Sequence, residues 1–231
     1  CKKNNYKNFR TRCSIIIIKG SNSVLIDTSP DLRSQFLSNK IKDVSSVLFT
    51  HEHADQTNGL FELRPFYWKK RKRINIYGST QTIKHLKKTH FYLFKKSNEY
   101  PPIIKSNIVK TRFSLGKNKN KIYFKSIKAK HGRIDSVVYI FEKTAYISDS
   151  NDLSIIERKE LRNLNYLIID CLRLTKHPSH FSLHDALFVH KKLNPKKTIL
   201  TNLHSDLDYN FLIKKLPKNV LPAYDGLSIN L

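Results

Sequence analysis

The strongest constraint on this chain sits in one short stretch, Thr50-His51-Glu52-His53-Ala54-Asp55-Gln56, which follows the apolar run Val47-Leu48-Phe49. An apolar run closed by polar residues and followed by Asn58-Gly59-Leu60-Phe61-Glu62-Leu63-Arg64 predicts a strand that ends in a turn and enters a short helix. His51 and His53 are two apart, so an extended backbone points both rings the same way. Imidazole nitrogens beside a carboxylate suit zinc, and also iron or manganese. Helical zinc proteases need two histidines at i and i+4, so the spacing excludes that motif. A polar turn with incidental histidines is the plainer alternative. The position at a strand end, where ligands gather in sheet proteins, argues against it.

At 231 residues the chain is long enough for a full core and is expected to be one domain, 1–231. Its formal net charge of +25 would attract phosphates or nucleic acid. Composition offers a competing explanation. Lys, Asn and Ile make up about a third of the chain, far above usual usage, and all three have A/T-rich codons. Apart from Lys69-Lys70-Arg71-Lys72-Arg73 the lysines are scattered, which favours genome bias over a dedicated nucleic-acid surface. Three cysteines, Cys1, Cys13 and Cys171, give no disulfide framework and fit a reducing cytosol. No apolar run reaches the ~18 residues of a membrane span, and no signal peptide is visible, so a cytoplasmic protein with no membrane partner is expected.

In chain order, residues 2–12 read as an irregular basic lead-in. Cys13 to Lys19 and Ser23 to Asp27 read as paired strands around Gly20-Ser21-Asn22. Ser29-Pro30 opens a helix that buries Leu32, Phe36 and Leu37. A strand at Ile74 to Tyr77 precedes a helix over 80–94, burying Ile83, Leu86 and Leu93, with His85 and His90 outside any ligand pattern. Residues 95–120 are mixed. Ile122 to Phe124 and Ile127 then run toward Lys130-His131-Gly132. A hairpin joins Val137–Phe141 to Thr144–Ile147 around Glu142-Lys143, and that strand ends at Ser148-Asp149. A helix over 153–164, a strand Tyr166–Asp170, a helix over 182–193, a strand Thr198–Thr201, a helix Tyr209–Leu216 and a short strand Leu227–Ile229 complete the reading. This pattern specifies mixed α and β and no more.

Several short stretches, in order, carry a resemblance. They are Val24-Leu25-Ile26-Asp27, Thr50 to Arg64, Lys130-His131-Gly132, Tyr146-Ile147-Ser148-Asp149-Ser150, Ile169-Asp170-Cys171, Ile199-Leu200-Thr201-Asn202 and Tyr224-Asp225-Gly226-Leu227. The set resembles the metallo-β-lactamase fold, whose motif is written H-x-H-x-D-H. Within it the set is similar to the cyclic phosphodiesterases of bacterial phosphonate degradation and their hydrolase relatives. The resemblance implies an α/β (α+β) four-layer αββα sandwich. It implies a first metal held by His51, His53 and His131, with Asp149 bridging to a second metal whose carboxylate is Asp55. It places Asp27 behind the metal turn as a hydrogen-bond partner. The family opens with a strand, a Gly-rich turn and clustered cysteines. This chain begins at Cys1 and has no Met, so that strand is expected to be missing, with Cys1 the last of those cysteines.

Two departures bear on the second metal. Gln56 stands where the motif has its last histidine, and Asn202 stands where the branch has histidine. Amides bind zinc only through a carbonyl oxygen and more weakly than imidazole. The expectation is zinc, with manganese or iron as alternatives, at one tight site, and a weak second site to which Asp55, Gln56 and Asp149 contribute, with His204 able to swing in for the lost imidazole. His180, in Lys176-His177-Pro178-Ser179-His180, matches a catalytic histidine of the resembling branch and would protonate a leaving oxygen; a helix-capping role is as good a reading of it. Asp55 would orient the attacking water. The implied function is a metal-dependent hydrolase, a phosphodiesterase acting on a small or cyclic phosphodiester through hydroxide made available by the metal. The alternatives are an RNA-processing nuclease of the same fold, or a non-catalytic metal- or nucleic-acid-binding protein.

Overall fold

A computed structural model of the chain describes residues 5–96 and 100–231. Cys1, assigned above to a cysteine cluster, lies outside them. The chain divides into two compact units, Arg12–Tyr123 and Phe124–Leu231 with the segment ending at Thr11. Each holds a β-sheet and helices, which is the mixed α/β composition with two sheets that the resemblance implied.

In the Arg12–Tyr123 unit, β1 (Ile15–Lys19) and β2 (Asn22–Ile26) form an antiparallel hairpin, with Gly20 at φ 58 in the turn. A left-handed residue costs least at glycine, and the twist it imparts suits a two-residue hairpin. β3 (Ser46–Leu48), β4 (Ile74–Gly78) and β5 (Ile104–Ile108) then add in parallel, giving the order β1-β2-β3-β4-β5. All five residues of β2 and all three of β3 are buried, as expected of central strands in a largely parallel sheet. The helices are α1 (Leu32–Ser38), α2 (Ala54–Thr57), α3 (Arg64–Lys70) and α4 (Thr80–Thr89). Their apolar faces join the strands in one core that includes Leu25, Leu32, Phe49, Leu60, Ile76 and Leu86. β6 (Arg112–Leu115) follows.

The other unit contains β7 (Ile122–His131, entered at Phe124), β8 (Ile134–Phe141), β9 (Thr144–Ile147), β10 (Tyr166–Asp170), β11 (Lys197–Thr201) and β12 (Val220–Pro222). Their order is β12-β11-β10-β9-β8-β7. β7, β8 and β9 are antiparallel neighbours, and β10, β11 and β12 add in parallel. Glu142 and Lys143 both have positive φ, as the expected hairpin requires. Helices α5 (Leu183–Leu193) and α6 (Tyr209–Lys215) pack Ala186, Val189 and Leu212 into a core with Ile147, Leu167 and Leu200. Among the described residues no helix is long and apolar enough to cross a membrane.

Several sequence expectations need correction. Leu37 is 64 % exposed. It lies about 140° round the helix from Leu32, whereas Phe36 at i+4 shares the buried face. The segment 153–164 forms two 3-10 turns, Leu153–Glu157 and Lys159–Leu161, separated by extended Arg158, and not one helix. The helix over 80–94 ends at Thr89, and a 3-10 turn Phe91–Leu93 follows. β5 and β6 lie in the stretch read as mixed. Ile229 is not in a strand; the last strand is β12.

α5 begins with a complete capping box. Ser182 Oγ accepts from the Asp185 N–H, and the Asp185 carboxylate accepts from the Ser182 N–H. Replacing Ser182 by Ala removes one half of it and should cost about 0.5–2 kcal/mol in chemical denaturation. An unchanged midpoint would show that the helix is fixed by packing alone.

Candidate metal centre

The His51-His53 turn is built by β3 and its neighbour β2. β2 ends at Ile26, and Asp27, fully buried with φ 63, follows. Its carboxylate accepts the Thr50 N–H at 2.8 Å and the Thr50 hydroxyl at 2.9 Å. The Thr50 hydroxyl proton is thus committed to Asp27. His51 Nδ1, 3.0 Å from the same Oγ1, must therefore donate, which leaves Nε2 as the ring's lone-pair nitrogen. Thr28 ties down the far side of the turn: its N–H donates to the Gln56 carbonyl and its hydroxyl to the Thr57 carbonyl. The Gly59 N–H donates back to Thr28, so close that a Cβ on Gly59 would stand 2.0 Å from the Ser29 carbonyl oxygen. Glycine is required there by space.

His51 is buried and His53 exposed, with ring centroids 4.5 Å apart. His53 caps α2 with extended backbone, and Asp55 falls in its first turn, half-buried. Gln56 is fully buried. Its Nε2 donates to Asp55 Oδ2 at 3.2 Å and to Cys13 Sγ at 3.5 Å.

In the other unit, His131 ends β7, Asp149 follows β9 and Asp170 ends β10. His131 Nδ1 donates to the Ser179 carbonyl at 2.7 Å, which again presents Nε2, and that atom lies 3.9 Å from Asp149 Oδ2. Ser148 and Asn202 both donate to Asp149 Oδ1, at 2.9 and 3.1 Å. His180, whose ring centroid is 4.7 Å from that of His131, donates through Nδ1 to Asp170 Oδ2 at 2.8 Å. Asp170 is fully buried and also accepts from Ser150 N and Asn202 Nδ2. Burial raises its pKa, against the opposing pull of the His180 hydrogen bond. His177 stacks obliquely 5.0 Å from His180, and its pKa is lowered by burial and then by the electrostatic influence of His180 and Arg173.

The structure thus pairs His51 with His53, Asp55 with Gln56, and His131 with Asp149. It turns His204 outward, 61 % exposed and 3.1 Å from Asp206. Two residues given no role above, Asp170 and Ser150, prove central, and Asp170 was visible only as part of a short shared word. Cys171 beside it is fully buried, and burial raises its thiol pKa far above the usual range, so it is no nucleophile.

Two units with histidines and carboxylates gathered at strand ends define a metallo-hydrolase architecture. The model of the β-lactamase superfamily domain matches residues 22–202, and the chain belongs to that superfamily. An octanoyltransferase of Porphyromonas gingivalis is 30% identical over 233 residues, 98% of this chain but 46% of the relative. The chain therefore spans about half of that protein's length. Among solved structures, a diphosphatase of the PhnP family is 28% identical with TM-score 0.89, covering 100% of this chain and 88% of that one. Zinc-bound PqqB from Methylobacterium extorquens shares the fold at 14% identity, with TM-score 0.75 over 96% of this chain and 88% of its own.

Asp27 orients the histidine turn through its two hydrogen bonds from Thr50. Asp27→Ala should weaken metal binding 10- to 100-fold in a chelator competition, with the far-ultraviolet circular dichroism retained. Unaltered affinity would reduce Asp27 to a structural role.

Proposed function

We propose that this protein is a metal-dependent phosphodiesterase for a small phosphodiester, in which His51, His53, His131 and Asp149 hold one divalent metal and His180 delivers a proton to the leaving oxygen. The donor set supports the metal: three imidazoles and a carboxylate are a zinc set, with manganese or iron as alternatives. The observation that carries the reading is the fixed tautomer of His51 and His131. Thr50 and Ser179 take their Nδ1 protons, so both rings offer Nε2 before any ion arrives. A bound divalent ion supplies a Lewis acid and lowers the pKa of water toward ~7.

The chain's own residues supply the remainder. Asp170 holds His180 by Nδ1, so the proton passed to a leaving group comes from Nε2. We assign the orienting of a water to Asp55, which is half-buried at the start of α2. The likeness to a diphosphatase, at 28% identity over the whole chain, supports phosphorus as the electrophile. The octanoyltransferase name belongs to a protein of which this chain covers 46%, and acyl transfer is not carried over.

The purified protein should hold close to one tightly bound transition metal per chain, with a second only at high metal concentration. Elemental analysis checks this, and two equally tight ions would overturn the assignment. His51→Ala should abolish both metal binding and turnover of a p-nitrophenyl phosphodiester.

His180→Ala separates proton donation from structure. Expelling an alkoxide needs a proton far more than expelling p-nitrophenolate does. The variant should slow an alkyl diester by about 10²-fold or more and leave the p-nitrophenyl ester nearly unaffected. Equal slowing of both esters would assign His180 to positioning, and lost metal would make it a ligand.

A further inference from the structure

Beyond the metal centre, the Arg12–Tyr123 unit carries a surface that the hydrolase reading does not use. Phe61, Phe91 and Tyr92 are 38 %, 60 % and 40 % exposed. They touch one another: Phe61 and Tyr92 have ring centroids 6.4 Å apart, and Phe91 and Tyr92 6.0 Å apart. Large exposed rings are common singly; three in contact are a patch. Arg64 flanks it. Its guanidinium carbon lies 5.8 Å from the Phe61 ring centroid and 5.0 Å from that of Tyr100. Among the described residues the Arg64 side chain makes no hydrogen bond or ion pair, and its Nε is buried without a partner. A guanidinium held by stacking, with no carboxylate partner among the described residues, is suited to phosphate.

Between Glu62 and Glu99 the charge along the chain is one-signed. From Leu63 to Asn98 the sequence contains eleven Lys and Arg residues and no Asp or Glu. Lys87 and Lys88 occupy the last turn of α4, immediately before the aromatic turn, and Lys95 and Lys96 are exposed just after it. Codon bias accounts for many lysines. It does not account for a stretch from Leu63 to Asn98 without acids that also carries Phe91 and Tyr92 in contact with Phe61.

We propose that Phe61, Phe91, Tyr92 and Arg64 form a docking platform for single-stranded nucleic acid, with bases stacked on the exposed rings and phosphates held by Arg64 and the flanking lysines. The chemistry is that of sequence-tolerant single-strand binders, which combine ring faces with a cationic track. A polyanion without bases would use only the charges. A protein partner would use the rings but not a bare guanidinium flanked by lysines.

The test is fluorescence anisotropy of a fluorescein-labelled oligouridylate with the full chain, with its intact length checked by gel. Heparin displacement serves as the base-free control, and thermal melts confirm that each variant is folded. Tyr92→Ala, and separately Phe91→Ala at the most exposed ring, should weaken oligouridylate binding about 5- to 100-fold, as loss of a stacked base predicts. Heparin binding should not change. Arg64→Gln should weaken both ligands and lower the salt slope by about one phosphate contact. The proposal fails if wild type does not bind the oligonucleotide, if the aromatic variants bind it as wild type does, or if they lose oligonucleotide and heparin equally. The readout is binding, so it stands or falls separately from the phosphodiesterase reading.

Discussion

Everything at the candidate centre depends on carboxylates buried at strand ends. Asp27 ends the β2 strand run and takes both polar hydrogens of Thr50, which lies just past the neighbouring parallel strand β3. Asp170 ends β10 and takes the N–H of Ser150, just past its own parallel neighbour β9. The same device thus appears once in each unit. A buried carboxylate is tolerable only when its oxygens are satisfied, and here backbone N–H groups and hydroxyls satisfy them. In return each carboxylate fixes the loop that carries the chemistry: His51 follows Thr50 directly, and Asp149 precedes Ser150. Parallel strands put these ends on a common edge, which is why residues twenty or more positions apart become neighbours within a unit.

Much of this was legible in the sequence where local pattern and position agreed. His51 and His53 could be read from their alternation at the end of an apolar run. The strand at Tyr166–Asp170 announces itself by a continuous apolar run, and the helix over 182–193 is expected from the sequence, whereas its capping box at Ser182 and Asp185 is seen in the structure. His131 and Asp149 have no such local mark, and only the order of short shared words singled them out. β5 and β6 stayed hidden because Ile104–Ile108 reads IKSNI and Arg112–Leu115 reads RFSL, with too few apolar positions to show a period of two. The turns over 153–161 mimic a helix in composition, but Arg158 is extended and interrupts them. The contact of His180 with Asp170 spans ten residues and a loop of no regular period, so no sequence pattern could report it.

Asn202 shows how a substitution can be read twice. In sequence it is a missing imidazole. In the structure its Nδ2 donates to both Asp149 Oδ1 and Asp170 Oδ1, and its backbone sits at φ 61, a conformation that asparagine tolerates better than most residues. The amide cannot face the other way at this site, since a carbonyl oxygen would then meet two carboxylates. Gln56 behaves alike in its own unit, directing Nε2 at Asp55 Oδ2. Each amide therefore turns donor hydrogens toward a carboxylate that a cation would otherwise claim. To ligate through oxygen it would have to rotate and leave buried acceptors unsatisfied, at a cost of about 1–3 kcal/mol per lost partner. A cation competing for Asp55 or Asp149 on that side must first displace these hydrogen bonds. This is what favours the proposed single tight metal over two equal ones: the two amides already supply the carboxylates with a neutral substitute for positive charge.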